Sequence, residues 1–301
     1  PNKSTDITDL YNELQRIGTS VQLGEGDNMY RIHIHVPEDK KYDPIELMMK
    51  HGTVTKVYIE NLMEQMESQN MSTEDQYKTE IQKGQIAIVA VSPGKGISQI
   101  FKSLGIAAII SGGQTMNPST EEIYNSFKNL LTNEVIILPN NKNIILAAES
   151  ASKMSDKHVA VIPSRSIPQG LAAALCYNPE VKMEKLIVDM NAALSEIDTG
   201  EITTAIRSIE INGVKVKKGE VIALLNGNLI GSSENLGNAC LMLLQRIDLS
   251  EKEHLTLFFG KDIKKSKVEE VAKLIESKFP EIDIETHYGG QPHYQFILSI
   301  E

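Results

Sequence analysis

The stretch from Gln85 to about Ile197 constrains this chain most, because short apolar runs alternate there with helical patterns at a regular pitch. Ile86-Ala87-Ile88-Val89-Ala90-Val91 is apolar without a break. A strand with one wet face alternates apolar and polar residues, whereas an unbroken run suits a parallel strand covered on both faces. Ser92-Pro93-Gly94-Lys95-Gly96 then turns the chain into a helix that carries Ile97, Ile100, Phe101 and Leu104. Strands are expected next at 106–110, 134–138 and 159–162. Helices are expected at 119–131, 143–154, around 170–176 and at 181–197. This alternation predicts an α/β unit with a parallel sheet and right-handed crossovers.

The flanking regions follow different rules. At the start, Ser4 and Asp6 are N-cap candidates ahead of Leu10, Leu14 and Ile17, which share one helical face and stop at Gly18. Strands at 21–23 and 29–36 follow, joined across Gly24-Glu25-Gly26-Asp27-Asn28 as a hairpin. Asp43-Pro44 opens a second helix that Gly52 closes. A strand over 54–59 and a polar Met-, Gln- and Glu-rich stretch at 61–83, read as a linker or exposed helix, complete an α+β region. After Asp198-Thr199-Gly200, short runs at 202–211, 214–216, 221–225 and 228–230 are separated by Asn212-Gly213, Lys218-Gly219 and Asn226-Gly227. Asn-Gly between apolar runs marks hairpins, so an antiparallel meander is expected. A helix at 235–247, a strand at 255–259, a helix at 266–279 and strands at 282–287 and 294–300 close the chain.

Length and composition bound the function. With 301 residues, the expectation is about two compact units. We divide the chain into residues 1–83 and 84–301, the latter in subdomains of about 84–200 and 201–301. Forty acidic against thirty basic side chains give a net charge of −10, which argues against a nucleic-acid partner. No apolar run approaches the roughly twenty residues of a membrane span. Cys176 and Cys240 are the only cysteines, so a disulfide framework is excluded and a reducing cytoplasm is expected. The chain opens on Pro1 without Met, as a piece cut from something longer would.

Few motifs carry chemistry. Ser92 to Ser98 sits where a phosphate-binding loop would, but Lys95 is followed by Gly96, and the upstream Gly of that motif is missing. A tight strand-to-helix turn is the better reading, and we reject a nucleotide site there. In Arg31-Ile32-His33-Ile34-His35-Val36, both imidazoles fall on one face, roughly 7 Å apart, within the span of one metal ion. Glu38, Asp39 and His51 are candidates for a further ligand. The pair alone is better explained by a polar or interfacial sheet face than by a metal site. Met48, Met49, Met63 and Met66 fit core or interdomain packing. Ser111-Gly112-Gly113-Gln114-Thr115-Met116-Asn117-Pro118-Ser119 is the densest polar cluster and follows a parallel strand, where open α/β sheets bind ligands. Ser119 also caps the next helix, with Glu121 and Glu122 in its first turn. A second polar turn at 163–170 offers Arg165 to an acidic group.

Those strings carry a resemblance. Arg31 to Val36, His51-Gly52-Thr53-Val54, Ile59-Glu60-Asn61-Leu62, the run from Ser111 to Ser119 and Tyr288-Gly289-Gly290-Gln291-Pro292 resemble the bacterial fatty acid kinase A subunit family. Members are often labelled DAK-phosphatase-like or DhaL-domain proteins. The resemblance implies a partial middle domain with a small sheet, followed by a DegV-like two-subdomain α/β domain. It implies an ATP- and Mg-binding kinase domain outside this chain, so that no catalytic residue is expected within it. It also implies an upstream Cys beside His33 and His35, which makes Zn the metal expected there. The expected partner is a fatty-acid-carrying DegV-like subunit, docked so that the kinase domain phosphorylates the acyl carboxylate. A second copy of the chain is a further candidate partner. Where those carriers have an H-T-G-P-G turn, this chain has Thr286-His287-Tyr288-Gly289-Gly290, which favours docking over carriage. The alternative is a lipid or small-molecule module, or a kinase-like or phosphatase-like enzyme part, with Ser111, Gly112, Gly113, Gln114, Thr115, Asn117 and Arg165 as the binding loops.

Overall fold

The computed structural model describes residues 7–26, 29–37, 40–54, 84–114, 116–211 and 213–301. The chain divides into two units, residues 1–69 and 70–301.

In the first unit, α1 (Ile7–Ile17) buries Leu10 and Leu14, and the Gly18 amide closes on the Leu14 carbonyl at 3.1 Å. Strands β1 (Thr19–Gly26) and β2 (Met29–His35) pair antiparallel, with Gly26 opposite Met29. Strand β1 thus runs further than the sequence suggested, while β2 starts where expected and ends one residue earlier, and only two residues separate them. The ladder continues through Gly24 and Glu25 because each finds a partner, Arg31 and Tyr30. Helix α2 (Asp43–His51) has buried Pro44 in its first turn. Met49 is 66% exposed, so it does not pack in the core of this unit. Ser4, Asp6, Glu38, Asp39, Met63, Met66, the rest of the expected strand at 54–59 and the segment 61–83 lie outside the described residues.

The second unit is layered. Strands β3 (Ala87–Ser92), β4 (Ala108–Ser111), β5 (Glu134–Leu138) and β6 (His158–Val161) form a parallel sheet in the order β4-β3-β5-β6. Every residue of β3 is buried, as its unbroken apolar run requires. On one face Ala87, Val89 and Val91 pack with Ile123 and Phe127 of α4 (Thr120–Phe127) and with Ala148 and Ala151 of α5 (Ile145–Lys153). On the other, Ile88 and Ala90 meet α3 (Lys95–Ser103), α6 (Ile167–Leu175) and α7 (Met183–Glu196) through Ile97, Phe101, Ala173, Leu186 and Met190.

Beyond those helices lies a six-stranded mixed sheet. It comprises β7 (Asp198–Thr204), β10 (Val221–Leu225), β11 (Asn228–Ser233), β12 (His254–Phe259), β13 (Asp283–Tyr288) and β14 (Tyr294–Ile300), in the order β11-β10-β7-β14-β12-β13. Only β12 and β13 run parallel. Ile202, Leu257, Phe296 and Leu298 face α8 (Leu236–Leu244) and α9 (Lys265–Lys278), while Phe258 and Ile297 join the core of the parallel layer. Both cysteines are free, and burial pushes the Cys240 thiol up to about 12.

Two expectations are corrected. The run at 202–211 is two strands, because the main chain of Ala205 bonds instead to Glu220 and Gly219, and Ile206 is 85% exposed. The second piece, β8 (Ile209–Ile211), pairs with β9 (Val214–Val216) in a sheet of its own, so the meander is not continuous. Helix α4 ends at Phe127 rather than 131, because the Leu130 amide closes a turn on the Phe127 carbonyl at 3.0 Å and Leu131 finds nothing to bury against.

Candidate functional site

Four parallel strands end at one edge of their sheet, and the turns that follow them converge there. The first, Ser92 to Gly96, is sealed. The Ile97 amide donates to the Gly289 carbonyl at 3.1 Å, so protein backbone occupies the α3 N-terminus. A Cβ on Gly96 would collide with the Tyr288 carbonyl, and one on Gly94 would collide with the Gly289 carbonyl. These glycines therefore serve close packing of α3 on the segment 288–290.

The second turn is open. Gly112 donates to the Ser92 carbonyl at 3.0 Å and Gly113 to the Met116 carbonyl at 2.9 Å, folding the loop back on itself. Ser119 accepts from the Glu122 amide at 3.1 Å while Glu122 accepts from the Ser119 amide at 2.7 Å, a capping box that anchors the far end of the loop. Ser111 and Gln114 are exposed.

The third turn carries Asn140, with φ of 57° and 5% exposure. Its side chain donates to the Val91 carbonyl at 2.8 Å and accepts from the Ser164 hydroxyl at 2.7 Å; its amide donates back to that hydroxyl at 3.0 Å. One residue thus ties the ends of β3, β5 and β6. The fourth turn bears Arg165, whose side chain is exposed and whose amide is fixed by Gln169 at 2.8 Å.

These turns border a small cleft of ≈ 60 Å³, open to solvent, lined by Ser111, Gly112, Gly113, Gln114, Asn141 and Arg165. Its opposite wall belongs to the mixed sheet, through Glu201, Tyr294 and Ile297. Ile297 lies directly across from Glu201 in the β14–β7 pair. Alternation would send Tyr294 to the opposite face, with Phe296. A bulge between Tyr294 and Phe296 reverses this and aims the phenol at the cleft. Burial raises the Glu201 carboxyl above its ordinary value, countered in part by a hydrogen bond from Tyr294 and by the charge of Lys142. Burial, then the Glu201 charge, pushes the Tyr294 hydroxyl up, and Gln114 on the open loop opposes this in part.

The structure therefore brings Ser111, Gly112, Gly113, Gln114 and Arg165 to one cleft. Asn117 is exposed outside its lining, and Thr115 lies outside the described residues. The sequence reading missed Asn140, Glu201 and Tyr294. Asn140 follows a parallel strand in Pro139-Asn140-Asn141, a signal as good as the one used for Ser111. Glu201 and Tyr294 carried none, because their place depends on the second sheet and its bulge.

His33 and His35 sit at alternate positions of β2, opposite Gln22 and Thr19. His51, a candidate third ligand, faces Glu13 across α1 and α2 at 3.2 Å. Among the described residues, no three His, Cys, Asp or Glu side chains are grouped to hold a metal ion.

The architecture has solved counterparts. A DegV family protein from Corynebacterium glutamicum superposes with a TM-score of 0.52 at 14% identity, covering 72% of this chain and 96% of that one. The dihydroxyacetone kinase from C. freundii in complex with AMP-PNP and Mg2+ gives 0.54 at 10% identity, covering 82% and 57%. The fold is thus of the DegV and dihydroxyacetone kinase α/β class. Family models for the FakA-like (fatty acid kinase A subunit) middle domain and C-terminal region match residues 1–69 and 87–301. The chain belongs to this FakA-like family. It is 36% identical to the Bacillus subtilis protein YloV over 292 residues, 96% of this chain and 52% of that protein. An uncharacterized protein of Staphylococcus aureus (strain USA300) is 32% identical over 299 residues, 99% and 54%. The chain spans about half the length of these relatives. No helix among the described residues is long and apolar enough to cross a membrane.

Proposed function

We propose that this chain is the non-catalytic portion of an ATP-dependent fatty acid kinase, and that it docks a fatty-acid-carrying DegV-like protein for phosphorylation of the acyl carboxylate. The observation that carries this reading is the pair of consecutive matches to the middle and C-terminal parts of one family, in a chain half as long as its relatives. Phosphoryl transfer is chiefly positioning and neutralisation of phosphate charge by bound metal ions. In this reading ATP and Mg belong to the part of the longer relatives that this chain does not span. His33 and His35 would hold Zn with a further ligand, which the resemblance places in that part, His51 being engaged with Glu13.

The test is native mass spectrometry of the purified chain with the fatty-acid-loaded carrier from the same source, beside calorimetry with Mg-ATP. A complex with the carrier and no heat of ATP binding are expected. ATP binding by this chain, or the absence of any complex with the carrier, overturns the reading.

A further inference from the structure

The cleft holds chemistry that docking does not use. Its wall combines one carboxylate, Glu201, with the Tyr294 hydroxyl and the Gln114 amide. Around them lie apolar surfaces of Val91, Ile144, Ile167 and Ile297. A largely apolar concavity with a few convergent polar groups is the usual form of a small-molecule site. The bulge at Tyr294 adds to this, since it turns a hydroxyl into the cleft that regular alternation would place on the other face.

The ligand's charge follows from the charges already there. A bound carboxylate would meet Glu201 in partly desolvated surroundings, and like charges so placed repel. A bound cation would meet Arg165 on the lining and Lys142, whose charge already acts on Glu201. A neutral molecule escapes both. It must donate hydrogen bonds, because an ionised carboxylate only accepts them, and it must match Tyr294 and Gln114, which do both. Hydroxyl groups on a short carbon skeleton meet these demands, with the skeleton against the aliphatic residues.

We infer that this cleft binds a neutral polyhydroxylated small molecule or glyceryl group, with hydroxyls on Glu201, Tyr294 and Gln114, and that it discriminates against carboxylates. This stands apart from the docking reading, and either can fail alone.

The test is saturation-transfer NMR on the whole chain with glycerol, ribose, a monoacylglycerol and hexanoate at pH 8. Signals are expected from the hydroxylated probes and not from hexanoate. A stronger monoacylglycerol signal identifies a lipid-borne glyceryl group, and equal signals identify a free polyol. Tyr294→Phe, which keeps the ring, should weaken the hydroxylated probes about tenfold with an unchanged melting temperature. Glu201→Gln should admit hexanoate. Absence of signal from every hydroxylated probe overturns the inference. So does hexanoate binding the unmodified chain as well as they do, or an affinity unmoved by Tyr294→Phe.

Discussion

Two glycine-bearing turns leave neighbouring parallel strands at the same sheet edge and meet opposite fates. After β3, Gly94 and Gly96 press against the backbone of 288–290, and the Gly289 carbonyl takes the Ile97 amide. After β4, Gly112 and Gly113 fold the loop back on itself and leave Ser111 and Gln114 beside a cleft. Both have the composition of ligand loops, and both lie where α/β sheets bind ligands. The difference comes from outside: a segment nearly two hundred residues downstream reaches one turn and not the other. Glycine therefore marks close approach, by a ligand or by the protein's own backbone.

Substitutions sharpen this contrast. Gly96→Ala drives a Cβ into the Tyr288 carbonyl, where neither backbone can yield. A loss of about 3 kcal/mol, or failure to fold, is expected in urea unfolding. Gly113→Ala meets only Pro93, with its Cβ at 3.0 Å and its Cα at 3.7 Å, and the expected loss is below about 1 kcal/mol. Equal losses would erase the distinction between the two turns.

Asn140→Ala tests whether one side chain holds the open edge together. It removes the partner of the Val91 carbonyl and places Ala at a φ of 57°. A cost of about 2 kcal/mol is expected, with cleft binding weakened because the end of β3 loses its side-chain tie, while the main-chain amide of residue 140 keeps its bond to Ser164.

The smallest effect concerns pH. The folded state holds the Glu201 proton more tightly than the unfolded chain does, because burial disfavours the charge. As pH rises past the ordinary carboxyl value of 4.5, the unfolded chain releases this proton first, so stability falls until the folded carboxyl has also ionised. Glu201→Gln should remove that share of the decline in melting temperature measured across this range. An unchanged pH profile would show that the carboxylate is not desolvated.

Much of this was legible beforehand because it is local. The apolar run Ile86 to Val91 could lie only inside a covered sheet, and the capping box could be read from Ser119 and Glu122. Asn226-Gly227, both at positive φ, turn β10 into β11 as that dipeptide should. The break at Ala205 was not legible, since it depends on bonds to Glu220 and Gly219 rather than on its own neighbours.

The amino-acid sequence by itself determined the strand–helix alternation, the parallel sheet and the edge at which its loops gather. Periodicity and turn chemistry act over a few residues, so the chain states them wherever it is read. Only the tertiary structure decided which loop is sealed and which is open, and that Glu201 and Tyr294 complete the cleft. Those outcomes rest on backbone approach across the whole second unit and on one bulged residue that reverses a side chain's face. A shift of one residue along a strand leaves its composition intact and inverts what it presents.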